Sequence, residues 1–206
     1  MEEQSSLGTN RLEAFSDGVF AIIMTLLILE VKVPEIHGAG NSEALLAFAA
    51  ILPKLIAFAF SFVTLAIFWV NHHHFFHPMK KTDWRLLWHN NTLLFFLCIV
   101  PFTTAFIGEY PKIPAAVAAY AIVMACAALA FTLMAKYVFF ESNLLDATVS
   151  KEKRKSELNR SIVAVVAYLV AALAAFVNIW FAWAIFFIVP IFYFVPTLMS
   201  GGSSKK

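Results

Sequence analysis

The sequence predicts an all-helical integral membrane protein with six transmembrane segments. Hydrophobic residues make up 61% of the 206-residue chain and charged residues 14%, with 22 Phe; a soluble domain of this length cannot hide so much apolar surface. The apolar residues collect into six runs, at about 12–32, 45–70, 86–107, 114–137, 160–178 and 181–198. Each is long enough for a helix to cross a hydrocarbon core of roughly 30 Å. None alternates with the period of two expected of a barrel strand, so the class is all-α. Residues 1–206 are read as a single transmembrane domain.

The first segment carries charge at its mouth: Arg11, then Phe15, Ser16, Asp17 and Gly18, runs directly into Val19 to Leu29. Ionisable groups at membrane depth are costly and imply buried partners or water, and so a functional site. The uncharged stretch from Gly18 to Leu29 is shorter than the roughly 20 residues a lipid-facing helix needs, which places this helix inside a bundle. The second segment ends in Trp69, Asn71, His72 and His73, and the third begins with His89, Asn90 and Asn91. Alanines at three- and four-residue spacing fill the fourth and fifth segments, among them Ala118, Ala125, Ala128, Ala164, Ala171 and Ala175. Such small residues let helices approach closely, the signature of scaffold packing. Pro34, Pro78, Pro111 and Pro114 punctuate segment ends, whereas Pro101 and Pro190 fall inside their segments and are expected to kink them. Trp88, Trp180 and Trp183 lie near segment ends, as interfacial belts require.

All of the 15 basic residues except Lys32, Lys54 and Lys112 fall at the N-terminus, the 71–89 and 136–160 connections and the C-terminal tail. The positive-inside rule then puts both termini in the cytoplasm, of a multi-pass protein in the cell (plasma or inner) membrane. The longest polar stretch, Glu141 to Arg160, reads as a solvated cytoplasmic loop, with a lipid-headgroup site as its sharper alternative. A net charge of +2, confined to loops, gives no argument for nucleic acid. Cys98 and Cys126 lie in apolar runs and behave as small hydrophobes. The polar, acidic start lacks a small-residue cleavage site, against a removed signal peptide, and the final Gly-Gly-Ser-Ser-Lys-Lys reads as a flexible tail.

On a helical wheel, Ile22, Leu26 and Leu29 share a narrow sector with Thr25 at its edge, and Phe15 and Arg11 continue it. Asp17 points the other way. An aliphatic stripe of this kind is the ordinary filling of helix interfaces. For the carboxylate, the donors at the ends of segments two and three suggest a structural polar clamp of Ser16, Asp17, Trp69, His73 and Asn90. A metal site on His73 and His77 is the alternative reading of their four-residue spacing; Pro78, the 100° divergence of neighbouring histidines and the lack of a completing Cys or carboxylate weigh against it. No metal or cofactor is therefore expected. Nucleophile and base pairs, phosphate-binding glycine loops and zinc-protease signatures are absent, which disfavours an enzyme.

At these residues the chain resembles a known family. Arg11-Leu-Glu-Ala-Phe15-Ser16-Asp17 matches the signature R-x-x-x-F-S-D of the transmembrane protein 175 family, the endosomal and lysosomal potassium channels and their prokaryotic relatives. The likeness continues to Glu30, through Phe68-Trp69-Val-Asn71-His72-His73 and into Val100-Pro101-Phe102; the second half matches only in hydropathy. The resemblance implies a homotetramer in the lipid bilayer whose first helices line a central pore for monovalent cations, potassium above all. It carries over a bulky constriction to Ile22, Leu26 and Leu29, a selectivity role to Thr25, and places Arg11 and Phe15 with the clamp. A proton channel, or a proton-coupled carrier using Asp17 or His73, remains as the alternative, although no inverted repeat is visible.

Overall fold

In the computed structural model, which describes residues 9–36, 38, 40–79, 81–146 and 148–201, with side chains through Tyr193, the chain forms six helices. They are α1 (Thr9–Leu29), α2 (Asn41–Phe76), α3 (Trp84–Glu109), α4 (Pro114–Lys136), α5 (Lys151–Val177) and α6 (Ile179–Gly201), with a π-helical turn at Tyr137–Glu141. Five are long and apolar enough to span a membrane, and the described side chains of α6 add a shorter apolar stretch, Ile179–Tyr193. The helices run in a packed series: α1 against α2 and α3, α3 against α4, α4 against α5, and α5 against α6, with α2 also reaching α6.

Two element boundaries differ from the sequence reading by more than four residues, each for a local reason. The α2 helix continues past residue 70 to Phe76, because neither Gly nor Pro stands between residue 70 and Pro78 and polar Asn71, His72 and His73 are compatible with a helix even where hydropathy falls. At 36 residues it is about 54 Å long, well beyond the roughly 30 Å hydrocarbon core. The stretch from Glu141 to Arg160 is not one solvated loop. Ser150 accepts from the Lys153 N–H at 3.2 Å and caps α5, and the run from Lys151 to Arg160 holds strong helix formers without Gly or Pro.

The α4 helix is the scaffold: Ala116, Ala121, Ala127 and Ala130 are buried on it, and Ala164, Ala171 and Ala175 on α5 face the same core. Pro114 occupies its first turn, where its missing N–H costs nothing. Gly108 of α3 is a point of close approach, where an added Cβ would stand 3.2 Å from Lys54 Cα of α2. Asp83 caps α3 by accepting from Leu86 N at 2.8 Å and also accepts from the Tyr137 hydroxyl, which ties the start of α3 to the end of α4. Deep in the bundle, Thr104 donates to Ser61 at 2.8 Å and Ser61 donates to Tyr120 at 3.2 Å, joining α3, α2 and α4. Tyr120→Phe removes the acceptor and is expected to destabilise the protein by about 0.6–1.7 kcal/mol, readable as a lower midpoint of denaturant unfolding in detergent.

Candidate functional site

The α1 helix has two chemically distinct faces. Leu12, Ser16, Phe20, Ile23 and Leu27 are buried against α2 and α3, as four-and-three spacing dictates. On the other side, Ile22 is 59% exposed, Leu26 44% and Leu29 70%, and Phe15, Arg11 and Thr25 are exposed with them. Gly18 lies on this same face and an added Cβ there would touch nothing within 4 Å. The Thr25 hydroxyl donates to the carbonyls of Ala21 and Ile22, both at 2.9 Å. Its lone pairs remain available as acceptors.

The buried face is held by a chain of hydrogen bonds with one direction. His72 Nε2–H donates to Asn90 Oδ1 at 2.8 Å, Asn90 Nδ2 donates to Ser16 Oγ at 3.0 Å, and the Ser16 hydroxyl donates to the Leu12 carbonyl at 2.8 Å. Ser16 and Asn90 are fully buried and His72 nearly so, with its ring between Phe20 and Phe76 at centroid distances of 5.4 and 4.6 Å. Three helices are thereby fixed by three side chains, and each buried donor of the chain has an acceptor.

The histidine in this network is His72, whereas the sequence points to His73. His73 is exposed, and its ring stacks at 6.2 Å on Trp69. The reason is angular. His72 shares a helix face with buried Leu65 and Phe76, seven residues before and four after, while His73 is turned about 100° away. That spacing is the signal by which His72 can be recognised in the sequence. Asp17 is set apart from the buried chain: its Oδ1 accepts from Trp69 Nε1 at 2.8 Å in an exposed position at the rim. Arg11 is also exposed. The clamp thus has a buried part, Ser16–Asn90–His72, and an exposed part, Asp17–Trp69. The α2 helix ends at Phe76 with His77 as its cap, and among the described residues no three His, Cys, Asp or Glu side chains gather as a metal set.

Fold and site together define a multi-pass helical membrane protein whose first helix is pinned on one face and open on the other. A family model described as "Endosomal/lysosomal potassium channel TMEM175" matches residues 11–101, which hold both the open face and the clamp. A potassium channel of Chryseobacterium sp. (strain P1-3) is 36% identical over 190 residues, covering 90% of this chain and 92% of that protein. The crystal structure of a lysosomal potassium-selective channel TMEM175 homologue from Chamaesiphon minutus superposes with a TM-score of 0.81 at 30% identity, covering 91% of this chain and 97% of that one. An endosomal/lysosomal proton channel TMEM175 of Danio rerio is 38% identical over 112 residues, 51% of this chain and 19% of that protein. The chain belongs to the TMEM175 family. It is a cation channel and not an enzyme.

Proposed function

We propose that this chain forms a potassium-selective channel in which four copies surround an axis lined by α1, with Ile22, Leu26 and Leu29 as stacked aliphatic constrictions and Thr25 as an oxygen-bearing layer between them. The observation that carries this reading is the outward aliphatic stripe on a helix whose opposite face is fastened by a buried polar network. The aliphatic stripe by itself would suit lipid; it is the charged and polar mouth on the same helix, with Arg11 and Asp17 exposed, that calls for protein or water around α1. Four helices of about 10 Å diameter leave an axis where such side chains meet. The potassium names of the bacterial relatives support the ion, and the clustering of Lys and Arg supports cytoplasmic termini in a cell membrane.

Such a ring blocks without charge. Methyl groups cannot replace the hydration shell of a cation, so a closed ring dewets and opening must widen it. Thr25→Ala is expected to weaken potassium preference over sodium by about 1 kcal/mol, roughly fivefold, while leaving the closed state tight, because it removes an oxygen and leaves the aliphatic layers of Ile22, Leu26 and Leu29 in place. Reversal potentials of purified protein in bilayers check this.

Proton conduction by the same pore is the second reading, favoured by the likeness to the Danio rerio proton channel. A proton-coupled carrier using Asp17 or His73 is the third. Flux into potassium-loaded liposomes, with and without an opposing proton gradient, separates the three. Potassium flux that persists without the gradient supports the channel; flux that requires it supports the carrier; proton flux in potassium-free vesicles supports the proton pore. Native mass measurement of a monomer or dimer would falsify the fourfold arrangement.

A further inference from the structure

Between α2, α4, α5 and α6 lies a cleft of about 680 Å³ that the pore reading does not use. One face of α5 forms its wall, running from Lys153 and Arg154 through Glu157 and Arg160 to Ala164 and Tyr168. The face changes character along the helix. Five basic and two acidic residues lie between Lys151 and Arg160, and from Ser161 to Val177 there is no charge. Opposite the apolar half stand Phe131 of α4 and Val189 of α6. The basic part from Arg154 to Arg160 spans about 9 Å of helix, and the apolar part from Arg160 to Tyr168 about 12 Å.

The two arginines of the basic mouth are held in place, while Lys153 is exposed beside them. Arg154 Nε donates to the Val149 carbonyl at 3.0 Å and its Nη1 to the Phe139 carbonyl at 3.3 Å. Arg160 Nη2 donates to the Tyr193 carbonyl at 3.0 Å, its guanidinium lies 4.8 Å from the Tyr193 ring centroid, and its buried Nε–H has no acceptor among the described residues. Glu157 is the one carboxylate among the described lining residues.

We propose that this cleft binds one anionic phospholipid, its phosphate at Lys153 and Arg160 and the upper part of one acyl chain against Phe131, Ala164 and Val189. Charge complementarity selects the headgroup: a guanidinium held between helices at Arg160 and the exposed ammonium of Lys153 on the same face of α5 match phosphate oxygens. The apolar floor selects the lipid over a soluble anion, for which an uncharged wall beneath the donors offers nothing. Of the helices around the cleft, α2, α4 and α5 are long and apolar enough to span the bilayer and α6 adds an apolar stretch, which sets the cleft among helices that acyl chains would surround. The inference requires only membrane embedding and stands apart from ion preference.

Native mass spectrometry of the purified channel, in micelles holding phosphatidylglycerol and phosphatidylcholine of equal chain length, tests it. Phosphatidylglycerol is expected to be retained about tenfold more than phosphatidylcholine. Lys153→Gln, at an exposed side chain whose loss leaves packing intact, should cut that preference severalfold, and Ala164→Phe, which fills the floor and keeps every charge, should lower retention of both lipids. Lys112→Gln, outside the cleft, should change neither. Equal retention of the two lipids, or unchanged retention in both cleft variants, overturns the proposal. So does full displacement by millimolar inorganic phosphate, which would mark an anion site only, or intersubunit cross-linking of Ala164→Cys, in a chain with Cys98→Ser and Cys126→Ser, which would mark a second copy as the occupant.

Discussion

Ile22→Ala is expected to raise unitary conductance and to cut potassium preference over sodium by roughly tenfold, about 1.4 kcal/mol. At 59% exposure within one chain, Ile22 contributes little to the core of its own subunit, so under the proposed fourfold arrangement the substitution acts on the axis and not on the fold. A bare cation moved into a hydrocarbon-like ring costs tens of kcal/mol, so in the proposed pore the width of the ring would decide conduction. Removing the side chain beyond Cβ widens the ring enough for a cation to keep more of its water, and hydrated potassium and sodium are harder to tell apart. Leu26→Ala and Leu29→Ala should have the same sign and smaller size, as flanking layers. Unitary currents and reversal potentials in planar bilayers are the measurement. Unchanged permeation after substitution of both Ile22 and Thr25 would move the pore off α1.

Asn90→Leu should have the largest effect on stability, about 2–4 kcal/mol. It removes the acceptor of His72 and the donor to Ser16 together, and each buried group left unpaired costs about 1–3 kcal/mol. The apolar replacement recovers part of this by filling the space. Thermal unfolding in detergent, followed by size exclusion, should show a lower Tm and less assembled protein. Asp17→Asn is the informative contrast. It keeps an oxygen for the Trp69 indole at an exposed position, so its expected cost stays under about 1 kcal/mol. If Asp17→Asn assembles normally and abolishes only proton-dependent transport, Asp17 is a carrier residue and the channel reading weakens.

Much of this molecule is written in its composition and order of residues. Six apolar runs, Pro78 after His77, Pro114 at a segment start and the alanine spacing of α4 and α5 specify helices, ends and close packing, because each depends on neighbours within a few residues. The stripe of Ile22, Leu26 and Leu29 is likewise legible, since helical periodicity alone puts these residues on one face. The signature from Arg11 to Asp17 points to the family, in which the chain is placed by similarity over nearly its whole length.

What the local pattern does not contain is which polar group meets which across helices. Four polar or ionisable residues stand near the end of α2, and only the rotation of that helix against α1 and α3 selects His72 for Asn90 and leaves His73 outside on Trp69. The same rotation divides the clamp into a buried hydrogen-bond chain and an exposed carboxylate, a difference that decides the relative cost of Asn90→Leu and Asp17→Asn. Hydropathy also understates α5, whose charged first turns are helical because a cap and helix propensity, neither of them an apolar signal, set its start at Lys151. The cleft that these turns border exists only where four helices converge, and periodicity within any one of them cannot specify it. Sequence determined the helices and their faces because those are properties of spacing within one segment. Tertiary structure decided the partners, because the relative rotation of separate helices is set by the sum of all their contacts at once.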